Sequence, residues 1–456
     1  MPIATALAEL DPRADLAAAR NPGPLAIPAA MLEALAASGL NAMTLAGRRL
    51  LPIVQGGMGV GVSAHRLAGT VASWGGVGTL SSVDLRRHHP DLMARTSGLS
   101  QRTGCDADTK LQIDAANLEA LVREVAAARR IAGGRGLVAM NIMRAVSDYA
   151  AYVRCSLEAG VDMVVVGAGL PLDLPDLAAD HPQALLVPIL SDSRGVALIV
   201  KKWERKKRLP SAIVIEHPRL AAGHLGAAKV ADLNDPRFEF ERAIPESLLF
   251  LRSAGLEGCI PLIAAGGIRD HADIARIQAL GGAAVQLGTP FAVTTESDAD
   301  DGFKRVLAEA TDDELVEFTS VAGLPARAVA TPWLRAYLKS LPRLQAVAHA
   351  KPRCTKGFDC LAQCGLRDGL AGWGQFCIDN QLAAALRGDL AKGLYFRGVG
   401  ALPFGTQIRS VRELLGRLLR RAPARLPPLV AAPVEATVPV QTTQRPPATS
   451  MMAPVV

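Results

Sequence analysis

The chain has 456 residues, half of them hydrophobic and a fifth charged, a composition that excludes a wholly disordered protein. Lysine plus arginine exceed aspartate plus glutamate, 50 to 43. This mild surplus suits an anionic ligand such as a phosphate and is weak evidence for nucleic acid, while aromatics at 4% argue against a stacking platform for bases. No run approaches the ~20 apolar residues of a membrane-spanning helix. The N-terminus does not read as a secretory signal, and the default compartment for the seven cysteines is a reducing cytoplasm.

Residues 1–47 are alanine-rich and read as an N-terminal lead-in with one helix candidate, 28–38. From Leu51 a regular alternation begins. Apolar runs at 51–55, 77–82, 137–143, 163–169, 184–192, 212–216, 261–267 and 283–289 are nearly continuous, as strands buried on both faces should be. Between them, 64–74, 115–132, 146–159, 194–206, 246–254 and 272–280 carry apolar residues at helical spacing, with a weak candidate at 174–179. Eight strands in strict alternation over about 240 residues predict a (β/α)8 TIM barrel rather than a doubly wound open sheet. The insertion 84–114 follows the second strand, so it belongs on the face where barrel active sites lie. Helical segments follow to about 344, then a cysteine cluster, then amphipathic helices at 379–387 and 410–420. The expected organisation is a lead-in (1–47), a barrel with its following helices (48–345), a cysteine-bearing helical extension (346–420) and a disordered proline-rich tail (421–456).

Three stretches carry chemistry. LPIVQGGMGVG (51–61) runs a strand into four glycines. It contains a Gly59-x-Gly61-x-x-Ala64 match to the dinucleotide fingerprint, with Asp84 further on. Surplus glycines before the fingerprint and seven further strands count against that reading. The preferred one is close backbone approach to a flat cofactor ring, with Gly56, Gly57 and Met58 leaving room and presenting N–H groups. IAAGGIRD (263–270) and VQLGTPF (285–291) end the seventh and eighth strands. That pair of loops often binds phosphate in barrels, which nominates Gly266, Gly267, Gly288 and Thr289. In IVIEHPRLAAGHLGA (213–227), His224 follows the sixth strand among small residues and suits proton transfer. The other seven histidines read as surface or packing residues, and KKWERKKR (201–208) as a solvated helix face.

Together PIVQGGMGVGVS, AMNIM, EHP with AAGHLG, AAGGIRD, QLGTPF and GLPARA resemble the nitronate monooxygenase family, relatives of bacterial flavin enoyl reductases. The resemblance covers about 48–327. It implies a TIM barrel binding FMN, with its phosphate on Gly266–Gly267 and Gly288–Thr289 and His224 as catalytic residue. Asn141, Ser193, Glu216 and Gly223 are then candidate contacts to the ring or its sugar-alcohol chain. The implied reaction is oxidation of alkyl nitronates with O2. One departure stands out: where monooxygenase-type members carry EAGGH, this chain has LAAGH, with Leu220 in place of the acid. An NAD(P)H-dependent reductase of enoyl thioesters or quinones is the alternative, and a non-catalytic, metal-stapled binding protein a third reading. Cys354, Cys360, Cys364 and Cys377 lie within 24 residues. They leave open an iron–sulfur cluster, a structural zinc, or cysteines without metal. The expected partners are a small-molecule substrate and O2, with no nucleic acid and no membrane; the oligomeric state, homo-oligomer included, stays open.

Overall fold

The computed structural model describes residues 27–99, 107–349, 354 and 359–421. Most of the lead-in and of the proline-rich tail lies outside them. Eight strands form a closed barrel: β1 (Ile53–Gln55), β2 (Val77–Ser81), β3 (Leu137–Met143), β4 (Met163–Gly167), β5 (Leu185–Leu190), β6 (Ile213–Glu216), β7 (Leu262–Ala265) and β8 (Ala284–Leu287). Every pairing is parallel, and β8 closes on β1 through Val285 opposite Ile53. All eight predicted runs are strands.

Strand side chains alternate between two faces. On β3, Leu137 and Ala139 belong to the barrel interior, while Val138, Met140 and Ile142 pack outward under the helices. The same alternation places Met163 and Val165, Leu185 and Val187, Val214, and Ile263 and Ala265 inside. The interior is therefore a filled aliphatic plug, as in barrels of this size.

Two features of the fold differ from expectation. The end of the lead-in forms an antiparallel hairpin, Met43–Leu45 with Arg48–Leu50. Its Met43, Leu45 and Leu50 join the barrel-interior cluster. After the barrel, where only helices are expected, Leu315–Thr319 and Pro325–Val329 make a second antiparallel sheet, which the two-residue strand Gly223–His224 joins. Both strand pairs are short and give no run long enough to show a period. The predicted helices are present within a few residues, including Ala29–Ser38, Ile378–Leu386 and Val411–Leu419; Ala107–Ala132 and Phe240–Ser253 begin earlier. The basic run 201–208 is an exposed face around the buried Trp203. Among the described residues, no helix is long and apolar enough to cross a membrane.

Candidate active site

At the C-terminal ends of the strands the inward positions change chemistry. Continuing the alternation, Asn141 on β3, Glu216 on β6 and Gln286 on β8 point inward near the strand ends, where the lower layers of the same strands carry Leu, Ala or Val. All three line a cavity of about 260 Å³. A second cavity of about 150 Å³ lies over β7 and β8. Gly57, Met58, Glu216, Ala222 and Gln286 line both, so the two share a wall.

The glycine turn after β1 forms part of that wall. A Cβ on Gly57 would stand 2.2 Å from Asn141 Cβ, and one on Gly56 would stand 3.2 Å from the Gln286 side chain. Both positions are glycine because polar side chains of the top layer approach the backbone. The expected trio of free N–H groups is reduced: Gly56 donates to Leu287 O at 2.9 Å and Met58 donates to Ser63 Oγ at 2.9 Å. Among the three, only the Gly57 N–H has no acceptor in the described residues. The fingerprint-like Asp84 is buried, at φ 51°, in an ion pair with Arg86 at 2.8 Å. That use, within a closed barrel, rules out the dinucleotide reading.

His224 hangs over the larger cavity. Gly223, at φ 70°, turns the chain into the short strand that pairs His224 with Ala326. Arg327, 1% exposed, pins this loop: it donates to Ala221 O at 2.7 Å and pairs with Glu317 at 2.6 Å. The His224 ring lies 5.9 Å from the Phe396 ring. Its Nε2 is sealed from solvent with no hydrogen-bond partner. Burial pushes the imidazole down to about 4, so it is neutral at pH 7. No charged neighbour among the described residues offsets the burial of the Glu216 carboxyl, which pushes it up to about 7. By contrast, His65 and His89 clamp the buried Glu124 carboxylate at 2.8 and 3.0 Å.

The smaller cavity is lined by backbone donors. Gly266, Gly267, Gly288 and Thr289 all line it. Their four N–H groups find no acceptor among the described residues. Gly266 at φ 102° and Gly267 at φ 72° hold the loop in a conformation that favours glycine. Arg269 brings a cation to the rim, balanced by Asp273 at 3.6 Å. The Thr289 hydroxyl accepts from Gly398 N–H at 3.1 Å, so it braces the wall as well as lining it.

Ser193 does not join the site. It opens the helix Ser193–Glu204, donates to Glu246 at 2.6 Å and lines neither cavity. Asp192 and Ser193 lie beyond the strand end and turn the chain outward into the helix.

The extension supplies the remaining walls. Cys360, Leu361, Ile378, Leu382, Leu394 and Phe396 face the larger cavity. Gly398, Val399 and Gly400 face the smaller one. Backbone bonds secure the fit: Ala362 N–H to Ala145 O at 2.9 Å and Val329 N–H to Tyr395 O at 2.8 Å. Burial, with the charges of Asp379 and the other three clustered cysteines, pushes the Cys360 thiol well up. Among the described residues, no three His, Cys, Asp or Glu side chains are grouped to hold a metal ion.

Four contributors escaped the sequence reading. Gln286 and Arg269 stand inside motifs already singled out: a polar residue in an apolar strand and a cation after paired glycines. Arg327 lies in GLPARA. Phe396 has no local signal, since its role depends on a contact from far along the chain.

A model of the nitronate monooxygenase family matches residues 45–420. Over 71 residues the chain is 42% identical to a nitronate monooxygenase of Paraburkholderia phytofirmans, covering 16% of this chain and 19% of that one. The curated relatives are matched over 19% to 36% of their own lengths. Among solved structures it resembles FabK of Thermotoga maritima (TM-score 0.55, 20% identity, 81% of this chain and 91% of that chain). It also resembles nitroalkane oxidase of Streptomyces ansochromogenes (TM-score 0.52, 20% identity, 81% and 95%). At such identities the structural likeness speaks to the barrel. The family match spans most of the chain and takes in both cavities. This protein belongs to the nitronate monooxygenase family.

Proposed function

We propose that the protein binds FMN at the barrel mouth and oxidises alkyl nitronates with O2. The observation that carries this reading is the sealed, unpartnered Nε2 of His224 above a cavity that shares its wall with an anion cradle. The residues fit the cofactor. Four unspent N–H groups and Arg269 suit its phosphate, while Gly57, Asn141, Glu216 and Gln286 suit the edge of a polar ring. When bound, FMN supplies the electron-accepting and oxygen-reacting chemistry; the protein supplies position and electrostatics.

The neutral His224 offers its Nε2 either as a donor to a nitronate oxygen or as an acceptor for a proton from a nitroalkane carbon. Its burial strengthens either contact. Phe396 and the walls from the extension keep water from that atom. Glu216, which titrates near neutrality, holds a proton next to the polar edge of the same cavity.

The test is a visible spectrum of protein purified without oxygen, followed by oxygen uptake with the nitronate of 1-nitrobutane. Flavin bands and uptake that His224→Ala abolishes are expected. Protein that is colourless and takes up no FMN would overturn the reading. The second reading, an NAD(P)H-dependent reductase, draws on the apolar length of the larger cavity. Oxidation of NADH or NADPH faster than nitronate turnover would favour it. Iron, sulfide and zinc analysis of the same sample tests a metal at the four clustered cysteines.

A further inference from the structure

The proposed nitronate chemistry uses the polar groups of the larger cavity around His224 and Asn141 and leaves another of its walls unexplained. That wall is the helix Ile378–Leu386. Its Ile378, Leu382 and Ala385 all face the cavity, at intervals of four and three, which is one stripe of a helix. Met143, Val146 and Ile189 of the barrel line the same cavity. Apolar side chains around an open cavity cost free energy unless a ligand covers them, and a two-carbon substrate held at His224 has too little apolar surface to do so.

The helix is fixed in place. Asp379, in its first turn, pairs with Arg87 at 3.0 Å, and Arg87 also pairs with Asp84 on the loop after β2. The cavity is also lined by the carboxylates of Asp84, Asp114, Asp148 and Asp359 and, on the helix itself, of Asp379. Burial, together with the charges of Asp84, Asp114 and Asp148, holds the Tyr152 hydroxyl well up, whereas His224 and Glu216 respond to burial alone. Arg86, Arg87 and Lys110 are already paired with these acids. An anionic tail would meet carboxylates here.

We propose that Ile378, Leu382 and Ala385 determine specificity, and that the substrate carries an unbranched, uncharged apolar chain lying along this helix. The reacting head group rests on the function proposed above; the chain does not. Calorimetric titration of the full-length protein with 1-butanol through 1-decanol tests the chain alone. Affinity is expected to rise about fourfold per methylene to a break, and Leu382→Trp moves that break to shorter chains. Leu382→Ala, expected to move it to longer ones, keeps the test open if the tryptophan variant fails to fold. Oxygen uptake with the nitronates of 1-nitrobutane and 1-nitrohexane should follow the same order and exceed that with propionate 3-nitronate. Length-independent binding, an unchanged break in both variants, or preference for propionate 3-nitronate would overturn the proposal. A break in alkanol binding with no nitronate turned over would sink the proposed reaction and leave the chain site standing.

Discussion

The two sides of the larger cavity are built differently. The barrel side ends in polar residues on rigid strands, Asn141, Glu216 and Gln286, with glycine at the turn that faces them. The extension side is mainly aliphatic and aromatic, held on by backbone bonds, a buried ion-pair cluster and side chains such as Phe376, Leu394 and Leu414 that join the main core. Under the proposed function the contrast is a division of labour: strand ends hold chemistry in fixed geometry, while an added module shapes the space the substrate fills.

The largest effect should come from breaking the barrel side at its tightest contact. Gly57→Val places a Cβ where Asn141 stands 2.2 Å away, and neither backbone nor side chain can yield cheaply. Less than a tenth of the normal flavin content is expected, read from the ratio of visible to ultraviolet absorbance. Next, His224→Ala should lower kcat/KM about 10²–10⁴-fold while flavin content holds. Unchanged turnover would remove His224 from the chemistry.

The extension side breaks through its ion pairs. Arg87→Leu leaves Asp84 and Asp379, both about 5% exposed, without that partner. Losing one member of a buried pair costs about 3–5 kcal/mol, so urea unfolding should shift by that order, with the extension becoming sensitive to protease first. A mild loss would show that the extension is held by apolar packing instead.

A smaller effect concerns pH. Glu216 titrates at about 7 in the folded protein against the usual 4.5. A raised carboxylate binds its proton more tightly when folded, so the stability it contributes is present below pH 4.5 and is lost as pH rises to about 7. Glu216→Gln should flatten the fall in apoprotein Tm across that window. The smallest effect is Arg269→Ala, with FMN binding weaker by about tenfold, the order of one exposed charge contact. An unchanged affinity would leave the phosphate to the backbone N–H groups alone.

Much of the barrel side was legible in the chain. Continuous apolar runs mark strands buried on both faces, and polar residues breaking them at their ends, such as Asn141 and Glu216, mark the mouth. Paired glycines after β7 and β8 announce a backbone conformation that few other residues adopt. Ser193 shows the limit: it lies just past a strand end, but the chain turns there, and a shift of one or two residues changes the face a side chain points to. Met58 shows another, since its N–H is taken by Ser63 and nothing in the local pattern says so.

The sequence by itself determined the eight-strand alternation, the glycine turns and the histidine over the mouth, because each is written in spacing that local backbone geometry enforces. Only the tertiary structure decided which side chains surround that histidine. Arg87 meets Asp379 across 292 residues of sequence, Thr289 meets Gly398 across 109, and Phe396 reaches His224 from the extension. Contacts of this kind depend on how distant segments pack, which no local period records.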